Sequence, residues 1–239
     1  IDDDTPTPTH AIFSWKKLIR IALIGIAIWL ISMAALISEF GWDNAFAQMG
    51  WFFTKAALLT FGGAYAVLPY VYQGAVEHYQ WLSATQMMDA LALGETTPGP
   101  LVMVNTFVGF VGGWLDASAT HFGAFASALI AASIVTFFTF LPSFGFILMG
   151  GPFIETTHGI LKLTAPLTAI TAAVVGVILN LALFFAYHVF YPTGFNGSLD
   201  LFSISLSIAA LVGMLRFRLS VIPVLIISGL IGMGFQLFI

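Results

Sequence analysis

The chain has no cysteine and very little charge. Without a thiol there is no disulfide framework, no thiolate metal site and no thiol redox chemistry, and nothing about compartment follows. Charged residues make up 8% of the 239 positions, against roughly a quarter in an ordinary soluble domain. The net charge is -4 and no block of Lys and Arg stands anywhere, which excludes a nucleic-acid partner, because phosphate binding needs concentrated positive charge. His10, His78, His121, His158 and His188 include no pair at metal-ligand spacing, and neither His-Glu-x-x-His, Gly-x-Ser-x-Gly nor a nucleotide-binding motif is present. The chain therefore reads as a protein without enzymatic chemistry, metal or cofactor.

What fills the chain is apolar surface. Hydrophobic residues make up 59% of it and mean hydropathy is +1.00, an excess that needs lipid and predicts an all-α, polytopic integral membrane protein. Charges gather at Asp2 to Asp4, at Lys16 to Arg20, at Glu77, Asp89 and Glu95, and at Arg216 and Arg218, leaving uncharged stretches wide enough to cross a bilayer. Residues 1–15 begin polar and Pro-rich and read as a linker or disordered start. The basic residues before Ile21 imitate a signal peptide, but the apolar run behind them exceeds a signal core and the same pattern continues down the chain.

Residues 16–38 predict the first span, with Ile21 to Ile37 as its apolar body. The second runs from about Ala45 to Tyr70 and is interrupted by Lys55, Gly62-Gly63 and Pro69, which predicts a broken or kinked helix. Ala84 to Trp114 is split by Thr96-Thr97-Pro98-Gly99-Pro100. As one straight helix it would measure about 46 Å, so either a surface helix precedes a crossing or two half-helices meet inside the membrane. Gly123 to Met149 is the next apolar block, with Leu141-Pro142-Ser143 towards its end and a polar loop after it holding Glu155, His158 and Lys162. Pro166 to Tyr187, Leu201 to Leu215 and Leu219 to Phe238 follow, giving about seven spans.

Positive charge sets the orientation, because cytoplasmic loops hold the excess of Lys and Arg. If 84–114 crosses once, Lys16, Lys17, Arg20, Lys162, Arg216 and Arg218 fall on one side. That predicts a cytoplasmic amino terminus and a carboxyl terminus outside. A re-entrant hairpin would divide those charges between the two sides.

Two segments carry the chemistry: Thr60 to Pro69 and Asp89 to Pro100. Each places helix breakers at membrane depth, where irregular backbone is tolerated only if protein or a water-filled cavity covers it. Half-helix amino termini present unpaired N–H groups and a positive dipole end to anions. Thr97 is expected to cap such a terminus with Pro98 at the first helical position, leaving the N–H groups of Gly99, Leu101 and Val102 for a small oxyanion. The expected substrate-binding residues are Thr60, Gly62, Gly63, Tyr65, Thr96, Thr97, Pro98, Gly99 and Asn105, with Thr106 beside them. The plain alternative is that these breakers merely kink a packing helix.

Glu95 sits beside the break and Asp89 six residues before it. Carboxylates inside spans serve as proton relays, so Glu95 and Asp89 are candidates for coupling, against the alternative of interfacial carboxylates near a loop. Lys55 either draws an anion into the cavity or snorkels to the interface. Asn180 either lines the cavity or hydrogen-bonds a neighbouring helix. Glu77 and His78 fall in the polar connection and read as solvated.

Phe61 to Pro69, Asp89 to Pro100 with the following Val104-Asn105-Thr106-Phe107-Val108-Gly109, and Ile170 to Leu183 together closely resemble the chromate ion transporter family. The resemblance covers most of the chain. It implies a membrane carrier that exports chromate, with sulfate as its structural mimic, across the bacterial inner membrane. Long members of that family carry two homologous halves of opposite topology, and this chain looks like the carboxyl-terminal half, with residues 16–38 as a connecting helix and 45–239 as the transporter-like domain. The homologous half would then come from the same chain, a second copy or a partner chain. An anion channel and a membrane subunit without a pathway of its own are the competing readings.

Overall fold

The computed structural model describes residues 14–59, 64–97, 100–116, 123–156, 161–192, 194 and 197–238. Residues 1–13 of the expected linker, and Thr60, Gly62, Gly63, Pro98 and Gly99 of the expected site, lie outside the described residues. Helix dominates, and no strand occurs among the described residues. In chain order the helices are α1 (Trp15–Phe40), α2 (Ala45–Leu59), α3 (Ala64–Tyr72), α4 (Ala84–Thr96), α5 (Val104–Leu115), α6 (Ala124–Thr156), α7 (Leu161–Phe190), α8 (Leu201–Arg216) and α9 (Val221–Phe238). A π-helical turn, Gln73–His78, continues α3, and a 3₁₀ turn, Leu101–Met103, leads into α5. Two compact units result, residues 1–178 and 179–239.

In the first unit α2 is the central element. It is apolar around most of its circumference, and Phe46, Met49, Phe53 and Ala56 are buried along with Thr54, the pattern of a helix enclosed by others. Helices α1, α5 and α6 all pack against it. On the α1 side the indole N–H of Trp29 donates to Thr54 Oγ1 at 3.0 Å, and the Thr54 hydroxyl donates to the Gly50 carbonyl at 2.7 Å. That exchange satisfies two polar groups that lipid could not. The rest of α1 is unlike α2: Met33 is its one buried residue, and Leu23, Leu30 and Ile31 stand exposed, as suits a helix facing hydrocarbon.

Helices α5 and α6 make the closest seam. A Cβ added at Gly113 would meet the Ala131 side chain at 2.5 Å and the Ser127 carbonyl oxygen at 2.7 Å, and one at Gly109 would meet Val135 at 2.8 Å and the Ala131 oxygen at 2.9 Å. Gly109 and Gly113 thus form a Gly-x-x-x-Gly face on which α6 lays Ser127, Ala128, Ala131 and Val135. Small residues let two backbones approach where no hydrophobic gradient drives helix association. One turn earlier the Thr106 and Thr136 hydroxyls are 2.8 Å apart, and Thr136 also donates to the Ala132 carbonyl at 2.8 Å. The helices therefore run antiparallel, with Thr106 opposite Thr136 and Gly113 opposite Ser127.

Local signals fix several ends. Ser83 and Gln86 form a capping box at the start of α4, the Gln86 N–H donating to Ser83 Oγ at 3.2 Å and the Ser83 N–H to Gln86 Oε1 at 2.8 Å. Described helix runs to Leu59 and again from Ala64, and residues 60–63, where the interruption of the second span is expected, lie outside the described residues. Leu141-Pro142-Ser143 does not close the next block: α6 runs through it to Thr156 as 33 residues, because a missing donor and a displaced carbonyl are local losses that a long packed helix absorbs. Among the described residues α1 and 124–151 of α6 are long and apolar enough to cross a membrane.

In the second unit α8 and α9 form a hairpin whose faces meet at Phe202 and Phe235, stacked with centroids 3.7 Å apart. Asp200 caps α8, accepting from the Ser203 N–H at 3.0 Å and the Ser203 hydroxyl at 2.7 Å. The Ser203 hydroxyl, and then its backbone N–H, hold the Asp200 carboxyl below the usual range.

Two outcomes follow from this packing. Gly113→Leu should lower the stability of the first unit by about 2 kcal/mol or more through overpacking, read as a drop in the thermal midpoint in detergent, whereas Gly25→Leu, at a position open for 4 Å around the added carbon, should change it little. Asp200→Ala should destabilise the start of α8 at neutral pH by about 1 kcal/mol. Because the folded-state pKa is depressed, this contribution is present above the unfolded value of about 4 and is lost as pH falls through the folded value. The gap between parent and variant should narrow below about pH 4, and an equal gap at pH 3 and pH 7 would refute the capping role.

Candidate functional site

The second break is built by prolines. Thr97, directly before Pro98, has φ -85° and ψ 127°, the extended conformation that a following proline ring imposes. It therefore ends α4, its N–H donating to the Leu93 carbonyl at 2.9 Å, and does not cap the next helix as its spacing predicts. Helix resumes only after Pro100, whose carbonyl accepts from the Met103 N–H at 2.9 Å, and the 3₁₀ turn Leu101–Met103 passes directly into α5. Pro98 acts on Thr97 before it, and described helix restarts at Leu101.

The first break is a neighbour of the second. Helix α3, which follows residues 60–63, and helix α4 both touch the Leu101–Met103 turn. The two segments that carry the sequence's helix breakers thus meet in one region of the first unit. Tyr65 is half-buried in the first turn of α3. Glu95 and Thr96 occupy the last turn of α4, Thr97 is exposed, and Asp89 is exposed farther back on α4.

Asn105 stands one turn into the resumed helix and is 2% exposed, yet its Oδ1 is fully enclosed without a hydrogen-bond partner. Thr139 Oγ1 on α6, one turn beyond the Thr136 that bonds Thr106, is enclosed and unpartnered as well. An unmet buried polar group costs about 1–3 kcal/mol, so two of them at the α5 end beside the break mark a place where water or a polar solute is to be expected.

Asn180 is exposed on the part of α7 that belongs to the second unit. Lys55 is half-buried on α2, its Nζ 5.7 Å from the Trp51 ring centroid, an arrangement in which the ring face partly offsets the cost of taking a cation out of water. Sequence reasoning missed the π-helical turn Gln73–His78, which carries Glu77 and His78. Its signal is faint: Gly74, set among aromatic residues, where an added Cβ would collide with the Phe52 ring.

Comparison with known proteins places this architecture. Residues 47–233 match the family described as Chromate transporter. The "Chromate transport protein" of Cupriavidus metallidurans is 30% identical over 145 residues, covering 61% of this chain and 32% of that protein. The protein of the same description from Pseudomonas aeruginosa is 38% identical over 124 residues, 52% of this chain and 26% of its own length. The "Probable chromate transport protein" of Synechococcus elongatus is 29% identical over 131 residues, 55% and 30% respectively. The matches thus span about a third or less of these relatives' lengths. No solved structure matches the chain. A match over most of the chain, taken with the paired helix breaks, means that the chain belongs to the chromate transporter family.

Proposed function

We propose that the chain forms part of a carrier for chromate or a similar tetrahedral oxyanion such as sulfate, with its site where the two helix breaks meet. The observation that carries this reading is the contact between α3 and the Leu101–Met103 turn; one turn away the enclosed Asn105 amide oxygen lacks a donor, which a water of the solute's hydration shell would supply, while the Asn105 NH2 and the Thr139 hydroxyl are the groups able to donate to an oxyanion. Backbone that leaves a helix at membrane depth exposes N–H groups that need an acceptor, and an oxyanion offers acceptors alone. Thr60, Gly62, Gly63, Tyr65, Thr96, Thr97, Pro98, Gly99 and Asn105 are the residues assigned to this site. The breakers as simple kinks would not account for an enclosed amide oxygen left without a donor beside them.

The rest of the reading follows from transport. The chain lies in the bacterial inner membrane in about seven spans, residues 1–15 as linker, 16–38 as connecting helix and 45–239 as the transporter-like domain, with a cytoplasmic amino terminus and an outer carboxyl terminus. A homologous half in the same chain, a copy or a partner completes the pathway. Export of a dianion from a negative interior gains about 4.6 kcal/mol at 100 mV, so membrane potential suffices as a driving force. Glu95, in the α4 turn next to the break, would add proton coupling, and Asp89, being exposed, is the weaker candidate for that role.

Everted vesicles carrying the full-length protein test this. Labelled chromate should accumulate saturably, excess sulfate should compete, and Gly99→Leu should abolish uptake at equal expression. Asn105→Leu, which removes the unmet amide at similar volume, should raise KM at least tenfold while leaving the protein as stable or more so. Glu95→Gln should remove any dependence of flux on the proton gradient while potential-driven flux remains. Non-saturating flux would indicate a channel, and absence of flux in the parent would leave the subunit reading.

A further inference from the structure

One hollow among the described residues has a polar wall, to which none of the residues assigned to the site at the helix breaks contributes. It has a volume of about 430 Å³ and is walled by α2, the end of α3 and the π-helical turn, with Lys55, Tyr70, Gln73, Glu77, His78 and Tyr79 supplying its polar groups. We propose that this hollow is a docking site for a soluble tetrahedral dianion, distinct from the site at the breaks, where a solute is collected before it enters the pathway.

Three observations carry the proposal. The first is the donor chemistry. Lys55 brings an ammonium, Gln73 an amide, Tyr70 and Tyr79 hydroxyls and His78 a ring N–H, while Glu77 is the only wall residue that at neutral pH can accept but not donate. A dianion with four oxygens needs such a set.

The second is the state of the cation. Lys55 is half-buried, its Nζ lies 5.7 Å from the Trp51 ring centroid, and no carboxylate pairs with it among the described residues. The chain holds only 7 Lys and Arg residues; Lys16, Lys17 and Arg20 stand in the first two turns of α1 and Arg216 and Arg218 at the end of α8, whereas Lys55 stands in the body of α2 between buried Thr54 and Ala56, lining a space large enough for an oxyanion with part of its hydration shell.

The third is how rigidly the wall is built. A π-helical turn is rare and tends to occur where a fold positions a functional group, and here it is closed by the Tyr79 N–H on the Gly74 carbonyl at 2.8 Å and the Trp81 N–H on the Ala75 carbonyl at 2.8 Å. Gly74 leaves the room that the Phe52 ring fills, and Phe52 stacks on Tyr70 with centroids 5.0 Å apart and 10° between planes. Tyr79 stacks on Trp81 at 4.5 Å and 4°. Both tyrosines are thereby held with their rings fixed. Glu77 on the same wall opposes a dianion, which keeps capture weak and release fast, as a collecting site requires.

The role in transport rests on the carrier reading, but the binding itself does not, and equilibrium binding separates the two. Chromate titrated into the purified full-length protein in uncharged detergent should give a saturable isotherm that weakens with added salt. Lys55→Met should weaken it at least tenfold, Lys55→Arg should hold it within about threefold, and Glu77→Gln should tighten it. These opposite signs exclude a simple folding defect. In everted vesicles Lys55→Met should raise KM by more than it lowers the maximal rate. Binding indifferent to both Lys55→Met and Glu77→Gln overturns the site even if Gly99→Leu still abolishes flux. Lys55-dependent binding in a protein without flux would uphold the site and sink the carrier reading. Should chromate fail to bind while phosphatidylglycerol in nanodiscs associates in a Lys55-dependent manner, the hollow would be a lipid-headgroup site and the proposal would fall.

Discussion

An amide that leaves a helix inside a bilayer has no water to turn to, and this cost organises the first unit. Described helix ends at Leu59 and at Thr96, beside the two segments that hold the sequence's helix breakers. Irregular backbone there could not face hydrocarbon. The fold brings α3 and α4 against the turn that restarts α5, so the elements flanking the two breaker segments lie together. The α5–α6 seam supports the arrangement, since Gly109 and Gly113 let α6 lie close enough to hold the restarted helix in place. A loose seam would open the breaks to lipid.

The same constraint explains where polar atoms are spent. Thr54, Trp29, Thr106 and Thr136 pair off between helices, the ordinary use of hydroxyls in a membrane bundle. Asn105 and Thr139 do not pair, although they are as deeply enclosed. A fold that satisfies its polar groups elsewhere and leaves two unmet at one end of a seam has kept capacity for something that comes and goes. Transporters, unlike enzymes, need binding groups without a reactive nucleophile or metal, and membership of the chromate transporter family accords with that economy.

How much of this was legible in the sequence depends on whether the signal was local. The extents of α1, α8 and α9 follow from uncharged runs. The second break was visible in Pro98 and Pro100, but its polarity was misread: Thr97 looked like a helix start because threonine caps helices, whereas the ring of Pro98 forces it extended and makes it a helix end. Pro142 misled in the other direction, standing inside α6. The Gly109 and Gly113 face is a short-range pattern that was there to be found, yet its meaning depends on Ala128 and Ala131 arriving from another helix. The π-helical turn was illegible, because it exists through the fit of Phe52 against Gly74, a tertiary contact with no sequence period.

The half-buried Lys55 shows why local reading also under-assigns function. In sequence it had two equal uses, attraction of an anion or retreat to the interface, and nothing in its neighbours on α2 decides between them. The decision comes from Tyr70, Gln73, His78 and Tyr79, which wall the same hollow and supply four further donors beside it. A lysine that only snorkels needs an apolar stem path and water at its tip. It does not need two tyrosine rings pinned by stacking on Phe52 and Trp81. Order of that kind costs side-chain entropy, and within an otherwise polar-poor bundle it is hard to account for unless the hollow it shapes is occupied in use.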